Sequence, residues 1–282
     1  ESEFIKLSFL QKLLLEQCKP GGKVHLSNDG SLAAYTAAVE LAHAAEAESV
    51  VSGVCAHTLG TELGTGWIDE TGEIPQIPLE VYNCIIDLGN HPARAYHELD
   101  ARSVNNFNTG LSGTLQKYCS QSGAYRLALR KFEEKAPARY AELFDKGFLE
   151  KRDDGVFVCQ TPSDMRKPLL EHLMRLASEG DATAAEIFRE IGEFLAVTFE
   201  ETEWMLAPKS RARILFGRFV KHKRCFDLMQ EGAAARNDVR FVAGRGRPAF
   251  TPVMLELKSD PVHTVAQFGQ AVGAAYFAAS QL

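Results

Sequence analysis

Residues 58–66 read TLGTELGTG, and this stretch of glycine and threonine decides the fold. It lies between two apolar runs typical of strands, VVSGV at residues 50–54 and WI at residues 67–68. The pattern predicts a hairpin with strands at about 50–58 and 64–68. Small residues leave room for a phosphate to approach the backbone N–H groups of such a turn, and threonine hydroxyls add donors. A tight hairpin whose glycines serve only the backbone angles remains the alternative interpretation.

A carboxylate lies upstream of the hairpin, in the sequence SNDG at residues 27–30, after a strand-like run at 23–26. The alanine-rich segment 31–47 predicts a helix, which Ser27 or Asn28 can cap. Asp29 then has two interpretations: it belongs to the cap of this helix, or it faces the hairpin as a functional group. A carboxylate beside a phosphate-binding turn is the minimum that phosphoryl transfer to a hydroxyl requires.

Strands and helices alternate along the rest of the chain. Further strands are predicted at 81–88, 155–159, 212–216 and 239–242, and helices at 3–18, 124–135, 137–146, 164–178, 182–205, 219–235 and 264–280. This order predicts a mixed α/β layer fold.

Composition narrows the class of protein. The chain has 282 residues, of which 45% are hydrophobic and 24% charged, so it can build a large core. Its net charge of −6 argues against a general attraction to nucleic acid or to an anionic membrane. We see no apolar run long enough to span a membrane and expect no signal peptide. Six scattered cysteines predict free thiols in a reducing cytoplasm.

From about residue 22 onward, the order of motifs resembles the second half of the ROK sugar kinases, a family of the actin-like, hexokinase and Hsp70 ATPase superfamily. The matching pieces, in order, are ND followed by LAAYTAAVELAHAA, then TLGTELGTG, GDATAAEIFREIGEFLA, ILFGRFV and QFGQAVGAAYFA. Each motif alone is unspecific, so the resemblance depends on their order and spacing. It implies an α/β protein with an RNase H-like (actin-like ATPase) lobe and a helical insertion at about 124–178. It divides the chain into a remnant of the N-terminal lobe at 1–47 and a C-terminal lobe at 48–282.

The resemblance also implies roles for single residues. Asp29 corresponds to the general base that takes the proton from the sugar hydroxyl, and Asn28 to a residue that binds the sugar. Gly60, Thr61 and Gly64 correspond to the second phosphate turn of these kinases, where backbone N–H groups stabilise charge on the transferring phosphoryl group.

The adenosine and sugar sites match the family less closely. Gly217 falls in the glycine turn near the adenosine, but Arg218 stands where a second glycine is usual. If LEVYN at 79–83 is the counterpart of the family's G-E-I-G-H motif, Glu80 contacts sugar hydroxyls, and Asn83 replaces a histidine. The sequence NNFNTGLSGT at 105–114 stands in place of a cysteine-rich zinc loop, so we expect no zinc and assign no metal ligand.

The leading hypothesis is ATP- and Mg²⁺-dependent phosphoryl transfer to the hydroxyl of a sugar, by a cytoplasmic, hexokinase-like transferase. The family's first phosphate loop, D-x-G-G-T, is not found before Asn28, and the chain starts with Glu1 rather than Met. We therefore expect the rest of the N-terminal lobe to be supplied in cis or by a partner chain; a homodimer is a further option. The alternative hypothesis is a non-catalytic sugar- or nucleotide-sensing regulatory domain derived from such a kinase. A purely structural subunit is a third, weaker hypothesis.

Overall fold

The structure is a computed structural model that describes residues 9–44, 52–75, 79–88, 100–106, 109–206, 212–243 and 265–281. Its strands are β1 (Val54–Leu59), β2 (Leu63–Ile68), β3 (Leu149–Arg152), β4 (Gly155–Val158), β5 (Ala212–Gly217) and β6 (Arg240–Ala243). The central four-stranded sheet has the order β2-β1-β5-β6, and β3 pairs with β4 in a separate hairpin. In the central sheet β1 is antiparallel to β2 and parallel to β5, and β5 is parallel to β6.

Helices pack on both faces of this sheet, and further helices lie away from it. They are α1 (Leu10–Gln17), α2 (Asp29–Ala44), α3 (Gln116–Cys119), α4 (Gln121–Lys135), α5 (Pro137–Asp145), α6 (Arg166–Ser178), α7 (Ala182–Leu206), α8 (Lys223–Arg236) and α9 (Val265–Ser280). Short 3₁₀ turns occupy Val81–Asn83 and Arg218–Lys221. Within the described ranges, none of these helices is both apolar enough and long enough to cross a bilayer.

Alternation along β5 shows how the layers are built. Ile214 and Phe216 belong to the core that the sheet shares with the alanine face of α2. Leu215, between them, belongs to the larger core that includes residues of α4, α6, α7 and α8. Successive side chains of a strand point to opposite faces, so the sheet is buried on both sides. The sequence prediction of a mixed α/β layer fold is confirmed.

Two predicted strands are wrong. Residues 23–26 have no regular secondary structure, and the carbonyl of Val24 accepts a hydrogen bond from the Gln11 side chain (Nε2···O 2.7 Å). Residues 81–88 form a 3₁₀ turn and then a single isolated bridge between Ile85 and Thr114. The N–H groups of residues 86 and 87 both donate to the carbonyl of Gly113, at 2.9 and 3.2 Å, so no regular ladder forms.

The segment predicted as a helical insertion contains more than helices. Between α5 and α6 it carries the β3–β4 hairpin, of which the sequence predicted only the second strand. The side chains of this segment join the same buried core as α7. The division into lobes at residue 47 remains a prediction, and the first residues of the predicted helix 3–18 lie outside the described ranges. All six cysteines are free thiols, as expected, and three of them are buried.

Candidate active site

A cleft of about 880 Å³ opens where β1 and β5 end. It gathers every candidate residue from the sequence except Asn83: the lining includes Asn28, Asp29, Gly60, Thr61, Gly64, Glu80 and Gly217. Asn83 is half-buried beside the cleft, where its side-chain oxygen accepts a hydrogen bond from Nδ2 of Asn106 (3.1 Å). Ligand sites in open α/β sheets commonly lie at the carboxyl ends of the strands, and this cleft has that position.

Two glycines hold Asp29 at the cleft. A Cβ on Gly30 would overlap the carbonyl of Thr65, and a Cβ on Gly66 would overlap the carbonyl of Gly30. The start of α2 therefore lies directly against the backbone of β2. Since Asp29 is an exposed residue of the first turn of this helix, its carboxylate is presented to the cleft beside the hairpin.

Residues of the same segment also cap the start of α2. The side-chain oxygen of Asn28 accepts a hydrogen bond from the N–H of Gly30 (2.8 Å), and Oδ1 of Asp29 lies 2.9 Å from the same nitrogen. The carbonyl of Asn28 accepts from the N–H of Leu32 (3.1 Å), which closes the first helical turn. Asn28 thus caps the helix as predicted, and a second oxygen of Asp29 remains for another partner.

The hairpin turn leaves open space where a ligand would approach. Thr58 pairs with Gly64 and Leu59 with Leu63, so Gly60 begins the turn, and its N–H donates to the carbonyl of Glu62 (3.1 Å). A Cβ on Gly60 would meet nothing within 4 Å, whereas one on Gly64 would overlap the Thr58 hydroxyl. The hairpin is confirmed, and its first glycine faces an empty part of the cleft.

Gly217 brings a second turn to the same place. It ends β5 opposite Leu59, adopts φ +97°, and a Cβ there would overlap the carbonyl of Leu59. Only glycine satisfies both conditions, because an L side chain rarely adopts this φ and has no room here. The turn that follows, beginning with Arg218, is therefore next to the hairpin turn at Gly60.

A third wall comes from residues that the sequence did not single out. Gln121, at the start of α4, donates its backbone N–H to the carbonyl of Gly60 (2.9 Å) and its side-chain Nε2 to the carbonyl of Arg166 (3.0 Å). It thereby links the hairpin turn to the start of α6, whose Lys167 and Glu171 line the cleft. These residues are distant in sequence and carry no local motif, so only the tertiary structure could find them.

The charges of the cleft are mixed. Its carboxylates are Asp29, Glu62, Glu80 and Glu171, and its cations are Lys167 and Arg218. Tyr82 also lines it; burial and a hydrogen bond with Glu80 raise the pKa of its phenol, so the hydroxyl stays protonated.

His57 lies on β1 of the hairpin and is not part of the cleft lining. Its ring stacks on Phe199 with centroids 4.0 Å apart, and Nδ1 lies 3.0 Å from the hydroxyl of Thr65. Burial lowers the pKa of His57 well below its usual value, and the nearby Arg213 lowers it further. His57 is therefore a neutral core residue. In the described part of the chain, no three His, Cys, Asp or Glu side chains are grouped so that they could hold a metal ion.

Solved structures show which fold this is. A ROK family glucokinase from Streptomyces griseus, in complex with glucose and AMPPNP, superimposes with a TM-score of 0.52 at 19% identity, over 79% of this chain and 64% of that one. A ROK hexokinase from Thermus thermophilus gives 0.48 at 17% identity, over 83% and 64%. A ROK family transcriptional regulator, a homolog of E. coli Mlc, gives 0.49 at 14% identity, over 92% and 55%. No protein-family model and no curated protein matches the sequence.

The match to the glucokinase shows that this chain shares the fold of a ROK family glucokinase. This chain spans 64% of the length of that glucokinase. The fold that the order of motifs implies is confirmed, and the activity is a separate question.

Proposed function

We propose that this chain is part of a ROK-type sugar kinase, which transfers the terminal phosphoryl group of ATP to a sugar hydroxyl. The observation that carries the proposal is the position of Asp29: its carboxylate shares one cleft with the glycine turn at Gly60. Phosphoryl transfer needs a group that accepts the proton of the attacking hydroxyl and donors that stabilise the phosphoryl charge. The cleft offers both.

Asp29 acts as the general base. Its free carboxylate oxygen accepts the proton of the sugar hydroxyl while the hydroxyl oxygen attacks the terminal phosphorus and the bond to the leaving ADP oxygen breaks. Glu80 and the amide of Asn28 bind and orient the sugar, since both line the same cleft. Holding the hydroxyl close to the phosphorus reduces the entropy that the reaction must lose.

The turn at Gly60 holds the phosphoryl group. Since the Gly60 N–H already donates to the Glu62 carbonyl, the N–H and the hydroxyl of Thr61 donate the hydrogen bonds to the oxygens on which negative charge develops. The space beside Gly60, which a Cβ would fill, fits a phosphate, and Gly217 leaves the backbone of the second turn accessible.

The nucleotide and its metal fit this cleft in two respects. Its volume of about 880 Å³ lies within the range of ligand pockets in proteins. Mg²⁺ that accompanies ATP is usually held by one or two carboxylates and the substrate phosphates, so a dedicated cluster of protein ligands is not needed. The phosphate charge would be screened by Mg²⁺ bound with ATP, and most of its remaining ligands would come from groups outside this chain.

The partition of the chain is part of the same proposal. Residues 1–47 belong to an N-terminal lobe that is completed in cis or by a partner chain, and residues 48–282 form the C-terminal lobe. Closure of the remainder of the N-terminal lobe over the cleft, with α2 staying packed on β2, excludes water, which would otherwise compete with the sugar for the phosphoryl group.

A coupled assay with ATP, Mg²⁺ and a panel of hexoses and N-acetylhexosamines tests the proposal. We expect ADP release that depends on one of these sugars and produces its phosphate ester in equal amount. If none of the sugars stimulates ADP release, and calorimetry detects binding of neither a sugar nor ATP, the proposal is wrong.

The second candidate function is a sugar- or nucleotide-sensing regulatory domain. Two observations favour it. Asn83, in place of the family's histidine, lies outside the cleft lining and is hydrogen-bonded to Asn106, and Arg218 stands in the adenosine turn where the family has a glycine. A sensor would bind its sugar or ATP in calorimetry without any turnover, so the same pair of measurements separates the two functions.

A further inference from the structure

We propose that Lys167 and Arg218 act as a cationic pair that binds the phosphate chain of the nucleotide in this cleft. The inference rests on the proposed function, because it names the residues that hold the donor of that reaction. Neither residue has a counterpart among the roles that the family resemblance implies, and Arg218 replaces a glycine.

Arg218 is placed by the pairing of β5 with β1. The residue before it, Gly217, is the partner of Leu59, and Leu59 precedes the turn glycine Gly60. The half-buried side chain of Arg218 lines the cleft and forms no ion pair with any residue that the structure describes. A buried or half-buried guanidinium without a carboxylate partner strongly favours an anionic ligand, because its five donors match the oxygens of phosphate.

The start of α6, where Lys167 lies, is linked to the hairpin turn by Gln121. The Gln121 backbone donates to Gly60 and its side chain to Arg166, the residue before Lys167. Arg166 is itself held by Asp164 (Nη2···Oδ2 2.7 Å), so its charge is compensated. Lys167 is exposed, lines the cleft and makes no ion pair within the described ranges, so its charge, like that of Arg218, is available to an anion.

Tyr125 ties the two positions together. Its hydroxyl donates to the carbonyl of Arg166, and the charge of Arg218 acts on the same phenol. Lys167 and Arg218 therefore lie on neighbouring parts of the cleft wall, at the start of α6 and after the end of β5.

The balance of charge in the cleft decides where an anion can lie. The other charged groups of its lining are the carboxylates Asp29, Glu62, Glu80 and Glu171, which repel phosphate. A polyphosphate is therefore favoured beside Lys167 and Arg218, with its terminal group at Gly60. The sugar is left to the carboxylates, which accept hydrogen bonds from its hydroxyls.

Calorimetry on the full chain tests the pair with ATP, inorganic tripolyphosphate, adenosine and glucose 6-phosphate as separate probes. Each of the variants Lys167→Gln and Arg218→Gln should have an affinity for ATP and for tripolyphosphate about tenfold lower than the wild type. In the double variant both affinities should fall about 100-fold, as expected for the loss of charge-assisted hydrogen bonds. Adenosine affinity should not change. The double variant Lys151→Gln/Arg240→Gln is the matched control: it removes the same charge at two exposed positions outside the cleft lining and should bind like the wild type.

Three results would overturn the assignment. The first is an ATP affinity in the cleft variants equal to that of the control. The second is a wild type that binds neither ATP nor tripolyphosphate. The third is a loss of affinity for glucose 6-phosphate alone, which would mean that the pair binds the sugar product. Turnover is measured separately. A wild type that binds ATP through the pair but phosphorylates no sugar supports this inference while contradicting the kinase proposal.

Discussion

Gly30 and Gly66 touch through their backbones, so that neither position has room for a side chain. A Cβ on Gly66 would overlap the Gly30 carbonyl, and a Cβ on Gly30 would overlap the carbonyl of Thr65. This contact fixes the first turn of α2 on β2 and thereby sets the distance between Asp29 and the hairpin turn. The geometry of the proposed active site depends on two residues that carry no functional group.

Replacing Gly66 should damage both stability and activity. In the Gly66→Ala variant the new methyl group meets backbone atoms, which cannot rotate away, so α2 must shift. We expect the free energy of unfolding to fall by about 1–3 kcal/mol, as for other overpacked positions. Urea denaturation measures this loss, and the same variant should have a lower kcat because Asp29 moves from the turn. Wild-type stability in this variant would show that the contact is not rigid.

Replacing Gly60 should leave stability unchanged but weaken the binding of ATP. A Cβ at this position meets no atom within 4 Å, and Gly60 is not among the glycines with positive φ. The unfolding free energy of Gly60→Ala should therefore stay within about 0.5 kcal/mol of wild type. The methyl group occupies the space proposed for phosphate, so calorimetry should show weaker binding of ATP. Unchanged affinity together with unchanged stability would remove the turn from the proposed site.

The sequence predicted the hairpin and its position in the site because glycine, threonine and β-branched residues act over short distances there. The strand prediction failed at residues 81–88. The apolar run VYNCII indicates a strand there, but the carbonyl of Gly113 accepts the N–H groups of both Ile86 and Asp87. The prediction also missed β3, whose sequence LEKR is charged and has no apolar alternation. The turn residues Asp153 and Asp154 were the signal that could have found this strand.

The residues of the candidate site could likewise be predicted from the sequence only where a local motif marks them. Asp29, Gly60 and Gly217 could be predicted because each belongs to a motif with a recognisable order. Lys167 could not, because its position follows from the hydrogen bonds of Gln121 to two distant carbonyls, and no local pattern encodes such a link.

Burial of His57 predicts a pH dependence of stability. Since its pKa in the folded state is lowered by burial, only the unfolded chain takes up this proton once the pH falls below the usual value of about 6.5. Stability should therefore decrease as the pH falls from about 7.5 to 5.5, by at most about 1.4 kcal/mol per pH unit from this group. Urea denaturation at both pH values should show a smaller decrease for His57→Gln.

The other perturbed groups can be separated from this effect. His172 also has a lowered pKa because of burial, so His172→Gln is the companion variant. The carboxylates of Glu142 and Asp164 have pKa values of about 2, so they act on stability only at lower pH, below their unfolded-state values of about 4. An identical decrease in wild type and in both histidine variants would contradict the prediction.

The most direct test of the account is the rate of sugar-dependent ADP release by Asp29→Asn, compared with wild type and with Asp154→Asn. Asp154 is an exposed carboxylate outside the cleft lining, so its variant controls for the lost charge. We expect Asp29→Asn to lose turnover by about 100-fold or more, as for a general base, while its ATP affinity stays near that of wild type and Asp154→Asn stays fully active. Turnover of Asp29→Asn equal to that of the control would contradict it.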